Sequence, residues 1–388
     1  MKSTLKRTLA TVFAGAMLAT VLVGCTKAED PKTLVIGGIG PITGEAASYG
    51  TSVKEAMELA VEEINAADGV GTNGIKFELN FEDDAHNAET AVQAYNNLLD
   101  KNAKVLLGTV TSKPCIAVAE KTKDENMFML TPSGSAVECI KYPNAFRLCF
   151  NDPNQGSASA DYISENFKGK KIGVIFNNSD PYSKGINETF QARAKELGLD
   201  ITESQAFTDK SSTDFSTQIQ KLKSAKVEFV FLPIYYQAAA AILKQSNTIG
   251  LEATFFGCDG LDGVISQLDK DKAIADGVML LTPFAADAQD DATQKFVAAY
   301  KAKFEGKTPD QFAANAYDSV YTLKAAMEKA EIADTTISVS DLCEKLKTAM
   351  TEITVNGVTG EMKWSANGEP TKTAKAMVIE NGAYKALD

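Results

Sequence analysis

From residue 33 onward the chain alternates short apolar runs with amphipathic stretches, and this alternation limits the fold more than any other feature. The run 33–40 (TLVIGGIG) reads as a buried strand. In the stretch that follows it, Val53, Ala56, Met57, Ala60, Val61 and Ile64 share one helical face. Ser52 and Glu55 have the spacing of a capping box, which places the start of that helix at about Ser52. Strands at 75–83, 104–110 and 127–130, with helices at about 88–101 and 114–125, complete a first set. A polar stretch at 151–157 (NDPNQGS) reads as a boundary. A second set then begins, with strands at 171–178, 200–207, 227–233 and 253–257 and helices at 183–197, 214–224 and 236–249. Strands separated by helices imply right-handed βαβ units and parallel sheets covered on both faces. Each set opens with a strand, a loop containing a tyrosine (Tyr49, Tyr182) and a helix, which implies two similar Rossmann-like lobes.

After a strand at 277–283, helices near 291–305, 312–330 and 340–350 and late glycine-punctuated strands return to complete both lobes. The expected organisation is a leader at 1–24 and a linker at 25–32. Lobe 1 comprises 33–153 with about 282–358, and lobe 2 comprises 154–281 with about 359–388, joined by a three-segment hinge.

The leader follows from its pattern. Lys2, Lys6 and Arg7 precede an apolar run, 9–23, that ends in Leu-Val-Gly-Cys. That run is shorter than the ~20 apolar residues a membrane span needs. The ending resembles a bacterial lipobox, in which Cys25 is lipidated and becomes the new N-terminus. The rest of the chain is then expected outside the cytoplasm, on the outer face of the cell membrane or the periplasmic side of a two-membrane envelope. The net charge is −12, and removing residues 1–24 takes away three positive charges to leave −15. No basic stripe accompanies this charge, so nucleic acid is not an expected partner. Five further cysteines, Cys115, Cys139, Cys149, Cys258 and Cys343, form no C-x-x-C. A Cys115–Cys139 bridge is one reading; free buried thiols are the expected state. With the single His86, no metal site or other cofactor is expected.

The stretch 130–136 (LTPSGSA) follows a strand and reads as a nucleophile turn, a phosphate cradle, a receptor loop or a plain polar link. The chain has no G-x-S-x-G, and its one histidine, His86, reads as a solvated residue ahead of a helix, so catalytic residues are not expected. The glycines of 37–44 lack the dinucleotide spacing, and no phosphate-binding loop motif occurs. A small-molecule receptor fits better, because open parallel sheets bind ligands beyond the carboxyl ends of their strands. Found there are Tyr49, Thr111, Ser112, Ser133 and Ser135 in the first set, and Tyr182, Tyr235 and Asp259 in the second. Hydroxyls and helix-start N–H groups facing a lone carboxylate, between tyrosines, match the charges of an α-amino acid.

The order and spacing of IGGIGPITGEAASYG, LGTVTS, TPSGSA, NNSDPYSKG, YYQAAAAILKQSNTIGL and GVTGEMKWSANGE resemble the type I periplasmic solute-binding proteins of ABC importers, in the leucine/isoleucine/valine-binding group. The likeness covers nearly all of 33–388. It implies capture of an amino acid, with branched-chain ligands expected, and delivery to a permease and its ATPase by a monomeric lipoprotein. It also implies that Ser112, Ser133 and Ser135 hold the ligand carboxylate and Asp259 the ammonium. Tyr49, Tyr182, Tyr235 and Val110 would wall the pocket. Two positions depart from the group: Ser133 stands where Ala or Gly is common, and Asp259, one methylene shorter, where Glu is favoured. Binders of an amide, urea, aromatic acid or other amino acid on the same fold, and ligand-sensing modules, are the alternative readings.

Overall fold

The computed structural model describes residues 32–372 and 374–387; the leader, Cys25 and the linker up to residue 31 lie outside them. β1 (Thr33–Gly40) turns at Gly44 (φ 81°) into α1 (Ala47–Ala66). β2 (Lys76–Asp83), α2 (Ala88–Asp100), β3 (Val105–Gly108), α3 (Ser112–Glu125), β4 (Met129–Thr131) and β5 (Ala145–Arg147) follow. Next come α4 (Asp152–Asn166), β6 (Lys171–Asn177), α5 (Pro181–Leu197), β7 (Asp200–Phe207), α6 (Ser216–Ser224), β8 (Phe229–Leu232), α7 (Tyr236–Ile249), β9 (Thr254–Gly257) and β10 (Met279–Thr282). The chain ends with α8 (Asp291–Lys303), α9 (Gln311–Lys329), α10 (Val339–Met350), β11 (Val355–Gly357), β12 (Gly360–Met362), β13 (Lys375–Glu380) and β14 (Ala383–Ala386).

The first sheet has the order β2-β1-β3-β4-β5 and is parallel throughout. In the second, β7-β6-β8-β9-β10 repeats that order in parallel, and β13 and β14 extend it antiparallel. This is the expected α/β architecture of two Rossmann-like lobes. In both sheets the strand order reverses beside the first strand of the set, at β1/β3 and at β6/β8. Such a reversal opens a crevice at the carboxyl ends.

Among the described residues, six of the ten α-helix starts are capped by side chains. Asn87, Asn151, Asp180, Asp290, Asp310 and Ser338 each accept an N–H of the first turn they precede. At α1 the structure differs from the sequence reading. The helix begins at Ala47, a turn before Ser52, and Ala46 caps it with no side-chain bond. Ser52 instead donates to Asp310 (2.7 Å), while Glu55 accepts from Tyr300 (2.6 Å) and pairs with Lys307. The polar face of α1 is therefore spent on α8 and α9. The expected boundary at 151–157 is the cap and first turn of α4, since Asn-x-Pro serves a helix start as well as a turn. β5 also escaped the reading, because its three residues are too few for a pattern.

The chain passes between the sheets after β5, after β10 and before β13. β11 and β12 pair with each other, and Asp318 of α9 holds them by accepting from Val358 and Thr359 (both 2.9 Å). Trp364 then donates to the Arg147 carbonyl (2.8 Å) and Lys372 to that of Leu148 (2.9 Å). Residues 359–372 thus lie against the first lobe, beyond the expected division at about 358. Cys115, Cys139, Cys149, Cys258 and Cys343 are all buried free thiols.

The first turn of α1 passes so close beneath the preceding loop that a Cβ on Gly50 would lie 1.9 Å from the Pro41 carbonyl oxygen. Gly50→Ala is expected to cost about 3 kcal/mol through backbone displacement. Urea denaturation of the two proteins measures this, and an unchanged midpoint would contradict the close approach.

Candidate functional site

Each of the eight residues singled out from sequence sits just beyond a strand's carboxyl end. Tyr49 follows β1, Val110 and Ser112 follow β3, and Ser133 and Ser135 follow β4. Tyr182 follows β6, Tyr235 follows β8, and Asp259 follows β9. The structure brings all eight together with Thr111, Gly260 and Phe312 around one enclosed chamber of about 10 Å³. A larger cavity of about 1110 Å³, running from α1 to the loop before β14, shares none of these residues. The small chamber is the candidate site because the strand ends of both sheets converge on it.

The first lobe contributes a donor-rich wall. Ser112 opens α3, and its Oγ accepts the Ala136 N–H (3.1 Å), which leaves its own proton free to donate. The Ser133 hydroxyl donates to the Val110 carbonyl (2.7 Å), so its proton is committed within the wall. The Ser135 hydroxyl lies by the Asp152 carboxylate, though Asp152 has no well-aligned partner. Thr131 ties the loop down by donating to the Thr109 carbonyl (2.6 Å) and accepting the Gly134 N–H (2.8 Å).

The second lobe contributes a carboxylate in an aromatic setting. Asp259 is 4% exposed and accepts from the Tyr182 hydroxyl (2.7 Å). Burial pushes its carboxyl up to about 6, against the bond from Tyr182. Its backbone is held from two directions: its N–H donates to Gln155 (3.3 Å), and its carbonyl accepts from Gln311 (3.0 Å). The Tyr182 oxygen also accepts the Gly260 N–H (2.9 Å). A Cβ on Gly260 would meet that oxygen at 2.6 Å, so only glycine fits there.

Four rings enclose the space. Tyr182 and Tyr235 stack at 4.7 Å and 8°, and Tyr49 and Phe312 stack at 4.0 Å. Tyr49 crosses between the lobes, donating to the Gly260 carbonyl (2.5 Å) and accepting the Tyr236 N–H (3.1 Å). Tyr235 also borders an outer cavity of about 220 Å³ lined by Glu45, His86, Asp180 and Asp209. His86 is half-buried rather than solvated: it bonds Thr111 (2.8 Å) and meets Tyr235 edge-on. Burial pushes it down to about 4, so it is neutral at ordinary pH.

Sequence reasoning missed Phe312, Gln155 and Gln311. Phe312 and Gln311 belong to α9, far along the chain, where they read as ordinary helix residues. Gln155 lies in the stretch taken for a boundary. Gly260 carried a legible signal, a glycine immediately after the acid at a strand end.

The model of the periplasmic binding protein family matches residues 33–383. The chain belongs to that family. It is similar to the Leu/Ile/Val-binding protein BraC3 of Rhizobium johnstonii, with 30% identity across 86% of this chain and 92% of that one. It is equally similar, at 30%, to the leucine-, isoleucine-, valine-, threonine- and alanine-binding protein of Pseudomonas aeruginosa, over 87% of each chain. Among solved structures, the branched-chain amino acid transporter substrate-binding protein LivJ of Streptococcus pneumoniae, in complex with isoleucine, superposes with a TM-score of 0.82. It is 26% identical, and the match covers 92% of this chain and 99% of that one. The chain is thus an extracytoplasmic substrate-binding protein of an ABC transporter and not an enzyme. Among the described residues no helix is long and apolar enough to cross a membrane.

Burial of Asp259 sets a pH dependence. Its folded carboxyl is raised from the ordinary 3.8 to about 6, so folding favours the protonated form. The stability this residue contributes is full below pH 3.8 and is lost as pH rises through about 6. Asp259→Asn keeps an oxygen for Tyr182 and removes the charge. It is expected to stabilise the protein by on the order of 2–3 kcal/mol at pH 8 and by little at pH 4. Denaturation curves at the two pH values test this; an equal effect at both would contradict it.

Proposed function

We propose that the chamber binds a branched-chain α-amino acid and that the protein delivers it, as a monomer, to its permease. The observation that carries this reading is the meeting of opposite recognition surfaces across the lobes. Ser112, Ser135, the backbone of the Ser133 loop and the start of α3 present donors to a carboxylate, and Asp259 faces them as partner for an ammonium. Tyr49, Tyr182, Tyr235, Phe312 and Val110 leave the side chain an apolar, ring-walled space, which suits an aliphatic group. The printed ligands of the relatives and of the isoleucine complex support the same class. A chamber of about 10 Å³ is too small for an amino acid, so entry requires the lobes to part about their three connections. Only closure onto the ligand, with the chamber wider than it is here, engages carboxylate and ammonium together, which couples closure to binding.

Cys25 anchors the protein through lipid, with 25–32 as the tether. Cys25→Ser is expected to move it from the membrane fraction to the medium or periplasm on fractionation. Retention in the membrane would remove the anchor from the reading.

Replacing Asp259 by Ala strands a buried ammonium and is expected to cost ~3–5 kcal/mol of affinity, a loss of about two orders of magnitude or more in Kd. Calorimetric titration with leucine, isoleucine and valine measures it, and an undiminished affinity would take Asp259 out of the site. A thermal-shift screen against all amino acids identifies the ligand, because a bound ligand raises the melting temperature according to its affinity.

A further inference from the structure

No residue lining the chamber is basic, yet the proposed ligand's carboxylate would be buried against it. A fully buried cation stands behind this wall. Arg147, the last residue of β5, has a fully buried side chain, and its Nη1 donates to the carbonyls of Gly134 (3.1 Å) and Ser135 (2.5 Å). Its Nε pairs with Glu369 at 3.3 Å. The Ser135 carbonyl receives a second donor, the Asp152 N–H at the start of α4 (3.0 Å). That carbonyl belongs to the same peptide group as the Ala136 N–H, and the Ala136 N–H donates to Ser112 Oγ (3.1 Å). Charge on the acceptor end of a peptide polarises its donor end, and bonds in such a chain strengthen one another. The Ser112 oxygen already accepts one donor and its proton has no partner within the wall, so that proton is available to a new acceptor.

We infer that Arg147 is a positioning residue that selects for a carboxylate at this wall, acting through the Ser135–Ala136 peptide on the Ser112 hydroxyl. The inference rests on the amino-acid reading above and deepens it. Arg147 touches no ligand. By holding the Ser135–Ala136 peptide it favours the donating role of the Ser112 hydroxyl, and it sets positive charge, shared with Glu369, behind a site whose lining has no cation of its own. An anionic carboxylate gains from both effects; a neutral carboxamide of the same shape gains little.

The test compares leucine with leucinamide by calorimetric titration of the wild type and of Arg147→Met, which keeps length and apolar volume but not charge. The leucine Kd is expected to rise about tenfold or more, the difference between a charge-assisted and an ordinary hydrogen bond. The leucinamide Kd should move far less, so the ratio of the two collapses; Arg147→Lys should restore part of it. Ala136→Pro cuts the relay without touching Arg147, and the Ala136 φ of −58° already suits proline. It should produce the same selective loss, and it decides the matter where Arg147→Met does not fold. Equal weakening of both ligands, or no weakening of either, overturns the inference while leaving the amino-acid reading intact. A wild type that binds neither leucine nor any other amino acid overturns that reading, and the inference with it.

Discussion

A sheet made of β–α–β crossovers sends every strand in one direction, so every carboxyl end opens on the same edge. Here the parallel strands of two sheets share one order and their carboxyl ends converge on one chamber, and everything else about the site follows from that placement. Loops after β1, β3 and β4 supply one wall, and loops after β6, β8 and β9 supply the other. Neither wall needs a long insertion, because the direction of the strands has already brought the residues together.

The convergence carries a thermodynamic penalty that the fold retains. Asp259, Asp180 and Asp152 are nearly or fully buried, and burial is the leading reason that each holds its proton more tightly than usual. Partially satisfied polar groups at such depth are a destabilising arrangement. Asp152, Gln155, Asp180 and Tyr235 near the chamber each keep a buried polar atom without a partner. Stability and recognition are thus in tension at one place, and the rest of the structure makes up the difference.

The fold was legible because its signal is periodic. The βαβ alternation in the sequence corresponds to the observed parallel order of both sheets, and α7 lies over the same residues, 236–249, that the pattern marked. What stayed hidden had no period or had a competing one. β5 is three residues long, and the start of α4 looks like a turn because Asn, Asp and Pro serve both. The Ser52–Glu55 spacing looked like a cap because the pattern cannot show that Asp310 and Tyr300 will take those side chains. Seven of the eight candidate residues could be found from their strand ends alone, and Val110 came with the family resemblance. Phe312 and Gln311 could not, since they enter from α9 and join the site only through tertiary packing.

Trp364 is the sole tryptophan of the chain, is almost fully buried, and is bonded through its indole N–H to the Arg147 carbonyl. It lies where the third connection between the lobes leaves β12, against the strand from which the first connection departs. Indole emission depends on the polarity and hydrogen bonding around the ring. The ultraviolet fluorescence of the unmodified protein therefore comes with a single optical probe at its hinge, readable in real time and without any label on the binding chamber.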